Sequence, residues 1–388
     1  MGFKLNILFI ENAGTFSAGA FHSLITLIEE LKKYGVNSFV ALPKQSVEGQ
    51  KILEEKGIEF IALKSCAYSQ MIDFNASIVE KIKMLIKDYV VKSEVNKLIN
   101  YAIEKNIDIV HENTSVCYMG YYVAKKMSLK HVWHIREFLE EDFGKRLWKK
   151  KRALKMFNEA DEIITVSDAL KDKYSKLLTN CSIQRVYNGI DISRFYFPNH
   201  SILQNEVIKL VSVGRICEGK GQLDVVAALG ILKSKYDIKN FQLHLVGKID
   251  NEYFLKLEKE IKKYSLEESV FFDGQITDVE RVYQESDVFC MSSKNEAFGK
   301  VTIEAMCAGC FVVGVNSGGT SEIISDGKTG ILYNGNINSL VCKLIWLNEH
   351  RKQAKMIALD GQKYACNYFS SEMFGHNIYH IYKRLVEE

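Results

Sequence analysis

Short apolar runs rich in β-branched residues alternate with longer amphipathic stretches along this chain, and the rhythm restarts halfway. The candidate strands of the first half are Leu5–Ile10, Val36–Leu42, Ile58–Leu63, Ile107–Val110, His131–Ile135 and Ile163–Val166. Those of the second half are Ile208–Val213, Phe241–Val246, Val270–Phe272, Val288–Met291, Phe311–Val315 and Ile331–Tyr333. Strands separated by helical segments cannot pair through tight hairpins, so the pattern predicts parallel sheets with crossover helices. The fold class is α/β, with two Rossmann-like doubly wound domains in series. With 388 residues the chain is too long for one ordinary core. The first domain is expected over residues 1–190 and the second over 208–369. Between them, 191–207 reads as an interdomain linker, because Phe195-Tyr-Phe-Pro-Asn-His200 breaks the periodicity. Residues 370–388, with Met373, Phe374, Ile378, Ile381, Tyr382 and Leu385, read as an amphipathic helix that packs back toward the first domain.

Composition removes several function classes. The hydrophobic fraction of 47% and charged fraction of 26% are those of a globular protein. The longest nearly apolar run, Ala305 to Val315, falls well short of the ~20 residues that span a bilayer. The segment behind Met1 lacks the long apolar region of a signal peptide, so a cytoplasmic location is expected. Nine cysteines, an odd number, suit a reducing compartment better than a disulfide framework. Cys307 and Cys310 have the spacing of a metal pair, but no second pair or nearby histidine completes four ligands. A net charge of +3 without a dense basic stripe argues against nucleic acid as a partner. The basic run Lys145–Arg152, with Leu147, Trp148, Leu154 and Phe157, has two readings. It is either an amphipathic helix on an anionic membrane or a core-packed helix with a solvated cationic face.

Three segments carry chemistry. The first strand runs into Ala13-Gly-Thr-Phe-Ser-Ala-Gly-Ala20 and then a helical pattern from Phe21 to Lys33, so Gly14 and Gly19 frame a turn whose amides suit an anion or are merely structural. It is neither a P-loop, which needs Lys-Ser/Thr where Ala20-Phe21 stand, nor a GxGxxG turn. Strand Ile208–Val213 ends in Gly214-Arg215-Ile-Cys-Glu-Gly-Lys220-Gly221, which brings two cations and three glycines to the carboxyl end of a strand. Strand Val288–Met291 is followed by Glu296 and Glu304, spaced Glu-x₇-Glu around Phe298-Gly299-Lys300, with a helix expected near Gly299. An anionic diphosphate needs fixed cations and backbone N–H groups, and sugar hydroxyls need carboxylate acceptors. Together the last two segments read as a site for a nucleotide-activated sugar. Val301, Ile303, Ala305 and Met306 imply that the helix bearing Glu304 is enclosed, where an unpaired carboxylate is costly, and this favours a ligand as its partner.

With these motifs in order, the chain resembles glycosyltransferase family 4, the retaining GT-B enzymes that include bacterial group 1 polysaccharide glycosyltransferases. The segments that carry the resemblance also include Val132-Trp-His-Ile-Arg-Glu-Phe138, Tyr187-Asn-Gly-Ile-Asp191, Phe272-Asp-Gly-Gln275 and Gly318-Gly319. It implies a GT-B architecture, two domains facing each other across a cleft. The implied activity is retaining, metal-independent hexosyl transfer from a nucleotide-diphosphate sugar to a hydroxyl of a glycan or lipid-linked acceptor. The setting would be synthesis of capsule, exopolysaccharide or lipopolysaccharide, and no cofactor is implied. Arg215 and Lys220 correspond to the cations that bind the diphosphate and stabilise the leaving group. Glu304 corresponds to the ribose ligand and Glu296 to the ligand of the transferred sugar, with backbone N–H groups of Phe298, Gly299 and Lys300 beside them. Gln275 and Ile276 correspond to the nucleobase contact, and Gly14, Gly19 and Gly214 complete the donor-binding set. His134 matches a first-domain histidine near the donor sugar and acceptor, supported by Arg136 and Glu137. Ser17-Ala18-Gly19 departs from the usual two-glycine pair of the first turn. Retention is attributed to front-face attack by the acceptor, with the departing phosphate taking its proton. Two other readings are a nucleotide-sugar epimerase on the same fold and a silent binding protein. The first does not explain the Glu-x₇-Glu spacing, and the second is expected to have lost Arg215, Lys220 or a glutamate.

Overall fold

The structure, a computed structural model, describes residues 4–15 and 19–388. The chain divides into two compact units, Met1–Gly189 with Ser371–Glu388, and Ile190–Ser370. In the first unit the strands are β1 (Asn6–Ile10), β2 (Asn37–Pro43), β3 (Glu59–Leu63), β4 (Met71–Ile72), β5 (Ile109–Glu112), β6 (Lys130–Ile135), β7 (Arg146–Leu147), β8 (Glu162–Thr165) and β9 (Ser182–Arg185). The second unit contains β10 (Ile208–Val213), β11 (Phe241–Val246), β12 (Val270–Gly274), β13 (Val288–Met291), β14 (Phe311–Val315) and β15 (Ile331–Tyr333). Among the helices, α1 (Gly19–Lys32), α2 (Ile78–Glu104), α3 (Lys150–Asn158), α4 (Gln222–Tyr236), α5 (Lys300–Cys307) and α6 (Ser371–Glu387) hold the residues of functional interest.

The first sheet has the order β3-β2-β1-β5-β6-β8-β9 and the second β12-β11-β10-β13-β14-β15, and every pairing in both is parallel. Parallel strands are covered by helices on both faces, which is why their apolar runs are nearly continuous: Ile7, Leu8, Phe9 and Ile10 are all fully buried. In each sheet the strand order reverses once, between β1 and β5 and between β10 and β13. At such a reversal the crossovers leave in opposite directions, and a crevice opens beyond the strand ends.

α6 packs on α1 so closely that a Cβ at Gly375 would run into the Glu30 side chain. Its buried face, Phe374, Ile378, Ile381, Tyr382 and Leu385, joins Phe21, Leu24 and Ile28 of α1 in the core of the first unit. The segment 191–207 differs from a free linker. It lies within the second unit, where Ile202 and Leu203 enter the core and the amide of Leu203 is held by Asp287. β9 is absent from the apolar pattern because Ser-Ile-Gln-Arg, at the sheet edge, buries little.

The expectation that Lys145–Arg152 forms a helix is corrected. The run is not one helix: Arg146–Leu147 pairs antiparallel with β4, and α3 starts only at Lys150. Leu147, Met156 and Phe157 are buried, while Trp148 packs on Ile72, Ala76 and Met84. Two of the run's cations reach the buried Asp88 of α2, with Arg152 donating at 2.7 and 2.9 Å and Lys149 at 3.3 Å beside the Trp148 indole at 3.0 Å, while Lys145 pairs with Asp73 and Lys150 with Glu140. Burial works to raise the Asp88 carboxyl, but the hydrogen bonds from Arg152, Trp148 and Tyr118 hold it down at about 2. No helix among the described residues is long and apolar enough to cross a membrane.

Since Phe374 is buried in the α1–α6 seam, Phe374→Ala is expected to destabilise the first unit by about 3–5 kcal/mol. The half-exposed Met373→Ala is expected to stay within about 0.5 kcal/mol, and urea unfolding of the two variants checks the contrast.

Candidate functional site

β10 and β13 are parallel neighbours, with Leu210 opposite Val288 and Val211 opposite Phe289, so their carboxyl ends open at the same edge. The loops that follow are fastened together there. Ser292 Oγ donates to the Lys220 carbonyl at 2.8 Å, and Ser293 Oγ donates to the Gly219 carbonyl at 3.1 Å. Gly221 has a φ of +68°, and a Cβ there would stand 2.5 Å from the Ser292 carbonyl oxygen, so only glycine permits this approach. The fastening sets Lys220 Nζ 2.6 Å from Glu296 Oε2, a pair in which the lysine is 37% and the glutamate 15% exposed. Glu296 is held from behind by the glycine pair after β14. The Gly319 amide donates to its carbonyl at 2.8 Å, and a Cβ at Gly318, whose φ is +54°, would lie 2.5 Å from the same oxygen. Gly299, at φ +101°, ends this loop and α5 begins at Lys300, where the leading amides have no carbonyl four residues back within the helix.

Glu304 stands on the second turn of α5 and is 7% exposed. Its carboxylate is not unpaired within the protein, for the Tyr283 hydroxyl donates to Glu304 Oε2 at 3.1 Å, so enclosure alone does not call for a ligand. Burial pushes the Glu304 carboxyl up, against the pull of Lys300, the Tyr283 hydrogen bond and the Arg194 charge. Arg194 in turn pairs with Glu280, its Nε 2.6 Å from Oε1. Tyr283, Arg194 and Glu280 are site residues that sequence reasoning missed. Single polar residues in the short helices Ile192–Phe195 and Val279–Gln284, they carry no local signal and meet α5 only in three dimensions.

The other predicted residues of the second unit are less tightly grouped. Arg215 is 68% exposed and turned toward Asp250 at 3.6 Å, so it does not join the Lys220–Glu296 pair in this structure. Gly214 (φ +135°) lies against Gly247 (φ +145°) of the neighbouring strand, whose added Cβ would strike the Gly214 carbonyl. Gln275 and Ile276 follow β12 in an exposed loop at the same edge of the sheet.

In the first unit, His134 is fully buried and packs on His111 and Phe374. Burial, with the Arg136 cation beside it, holds its imidazole well below the usual range and hence neutral. Arg136 Nη2 donates to His134 Nδ1 at 3.3 Å and to Asn113 Oδ1 at 3.0 Å, while Nη1 donates to Asn188. Asn113 donates to Glu11 at 2.6 Å, which ties the ends of β1 and β5 together at the reversal point. Glu137 accepts from Ser115 Oγ at 2.6 Å. Gly14 is engaged by the fold itself: its carbonyl accepts from Ser46, and a Cβ would collide with that side chain. Gly19 opens α1, with its carbonyl accepting from Ser23 Oγ at 2.9 Å. Ser17 and Ala18 lie outside the described residues.

Two family models match in succession, one described as Glycosyltransferase Family 4 over residues 18–194 and one as Glycosyl transferases group 1 over residues 197–364. Among curated relatives, the N-acetyl-alpha-D-glucosaminyl L-malate synthase of Bacillus anthracis is 32% identical over 183 residues, 45% of this chain and 46% of its own length. The capsular polysaccharide biosynthesis glycosyltransferase CapM of Staphylococcus aureus is 26% identical over 243 residues, 59% of this chain and 63% of its own. The chain thus spans about half the length of the first of these relatives and somewhat more of the second. Among solved structures, Anabaena HepE in complex with UDP-glucose superposes with a TM-score of 0.79 at 21% identity, covering 98% of this chain and 100% of that one.

Two stability tests follow from these contacts. Gly318→Ala forces a side chain into a left-handed backbone against the Glu296 carbonyl, and should lower stability by about 1–3 kcal/mol in thermal unfolding. The second concerns Glu112, fully buried at the end of β5, where burial lifts its carboxyl from 4.5 to about 8 against the pull of the Gly120 and Tyr121 amides. Below pH 4.5 folded and unfolded chains both keep this proton, so the group has no effect. Between 4.5 and about 8 only the folded chain keeps it, so stability falls as pH rises, and the loss is complete above that window. Glu112→Gln is expected to flatten the decline, as read by urea unfolding across the same range.

Proposed function

Since the chain belongs to the group 1 and family 4 glycosyltransferases, we propose that it transfers a hexose from a nucleotide-diphosphate sugar to a hydroxyl of a glycan or lipid-linked acceptor, with retention at the anomeric carbon. The observation that carries the reading is the Lys220–Glu296 pair, built on two fastened loops at the strand reversal of the second sheet. A diphosphate offers Lys220 an anion, and sugar hydroxyls offer Glu296 hydrogen-bond donors. Binding therefore exchanges one satisfied pair for two, and neither charge is left without a partner. Glu304, already oriented by Tyr283, has a second carboxylate oxygen for a ribose hydroxyl. The amides of Phe298–Lys300, at the entry to α5, add partial positive charge on the diphosphate side.

In this mechanism the acceptor hydroxyl attacks the anomeric carbon on the face from which the nucleoside diphosphate departs. The carbon–oxygen bond to the acceptor forms as the bond to the phosphate oxygen breaks, and the leaving phosphate takes the acceptor's proton. No side chain serves as a nucleophile. Lys220 stabilises the charge that grows on the departing oxygen, so the transfer needs no metal in this reading. Arg215 joins it by leaving Asp250, an exposed ion pair worth only about 0–1 kcal/mol. His134 is given no proton to move and acts instead through its packing under Arg136. The HepE complex with UDP-glucose supports a nucleotide-diphosphate sugar as donor, and the capsular role in CapM's name supports a cell-surface polysaccharide as product.

A panel of nucleotide sugars is expected to contain at least one that raises the unfolding temperature, because a ligand of the native state alone stabilises it. With that donor, Lys220→Ala and Glu304→Gln should each lower the rate of nucleoside diphosphate release by about a hundredfold or more while leaving the protein folded. Near wild-type rates in both variants would sink the assignment.

A further inference from the structure

Among the described residues, the largest concentration of exposed apolar side chains lies on the first three turns of α2. Ile78, Val79, Ile82, Leu85, Ile86 and Tyr89 are all about half exposed or more, with Ile78 at 76% and Tyr89 at 74%. At about 100° per residue these positions fall on one side of the helix. The opposite side, Met84, Val91, Val95 and Leu98, is buried in the first unit. The stripe is therefore surplus to the core. An apolar helix face of this length, about 16 Å from Ile78 to Tyr89, is an interaction surface rather than incidental exposure.

The charges beside it select the partner. Lys81 and Lys92 border the stripe on one side, Lys83 and Lys87 on the other, with all but Lys87 exposed. The carboxylates of the same stretch are tied back. Glu80 caps the helix through the Ser77 amide at 2.7 Å, Asp88 is buried under Arg152, and Glu94 accepts from the Ser65 amide at 2.8 Å. Asp88 also draws Lys149 to this helix, adding a partly exposed cation. An apolar centre with lysines on both flanks matches a bilayer surface of anionic headgroups. Acyl chains take the isoleucines, and the lysine stems reach back to the phosphates. A second copy of the chain would bring the same lysine rows face to face.

We propose that α2, through the stripe Ile78–Tyr89, docks the first unit in the plane of an anionic lipid bilayer. The proposal stands on this face alone and does not depend on the donor-site reading. It is tested by sedimentation of the full chain with vesicles of phosphatidylcholine containing about one third phosphatidylglycerol, against vesicles of phosphatidylcholine only. Binding is expected on the anionic vesicles and should weaken as salt is raised. Lys81→Gln/Lys83→Gln/Lys92→Gln should lower partitioning by roughly a hundredfold, since each charge is worth about fivefold. Ile82→Ser/Ile86→Ser should lower it at least about tenfold, and both variants should keep the wild-type unfolding temperature because the altered side chains are exposed. Equal binding to neutral vesicles, no binding at all, or variants that bind like the wild type would overturn the proposal. So would a dimer in light scattering that Ile82→Ser/Ile86→Ser converts to monomer, which would assign the stripe to a second copy.

Discussion

The parallel pairing of β10 with β13 is the contact on which the candidate site depends. It joins two stretches far apart in the chain, and because both strands run the same way, their carboxyl ends open side by side. Everything that follows is short-range fastening. Two serine hydroxyls reach the carbonyls of the opposite loop, and three glycines, at 221, 318 and 319, allow backbone to approach backbone where a Cβ would not fit. Without the strand pairing, Lys220 and Glu296 are two polar residues in separate turns.

The two glutamates of the Glu-x₇-Glu segment are placed in different physical settings. Glu296 is partly buried in its loop with the more exposed Lys220 cation as partner, a pairing that charged and hydroxyl groups of a ligand can replace. Glu304 is enclosed, its carboxyl raised by burial, and it rests on a neutral hydroxyl donor. A buried carboxylate without its hydrogen bond would cost several kcal/mol, so Tyr283 holds it in place whether or not a second donor arrives. One position is thus suited to exchange and the other to orientation.

Much of this was legible in the residues themselves. Five of the six strands read in the second half have the bounds expected, because strands buried on both faces must be apolar throughout. The edge strand β9 was hidden by its polar composition. The basic run Lys145–Arg152 misled for a related reason: a helical pattern of apolar and cationic residues does not show that Arg146–Leu147 pairs as a strand or that the buried Asp88 draws in Lys149 and Arg152. His134 was likewise identifiable as a notable histidine, but its burial beneath Arg136 was not.

The sequence alone determined the α/β class, the two sheets, the helix start at Gly299–Lys300 and the residue types at the candidate site, since strand and helix periodicity and glycine's access to positive φ are local properties. Only the tertiary structure decided partners: Lys220 with Glu296, Tyr283 with Glu304, α6 with α1, and the solvent side of α2. Each of these is settled by which surfaces are buried together, and burial is a property of the assembled chain. A residue's neighbours in sequence constrain its backbone, but the groups that shift its charge or satisfy its hydrogen bonds arrive from elsewhere in the fold.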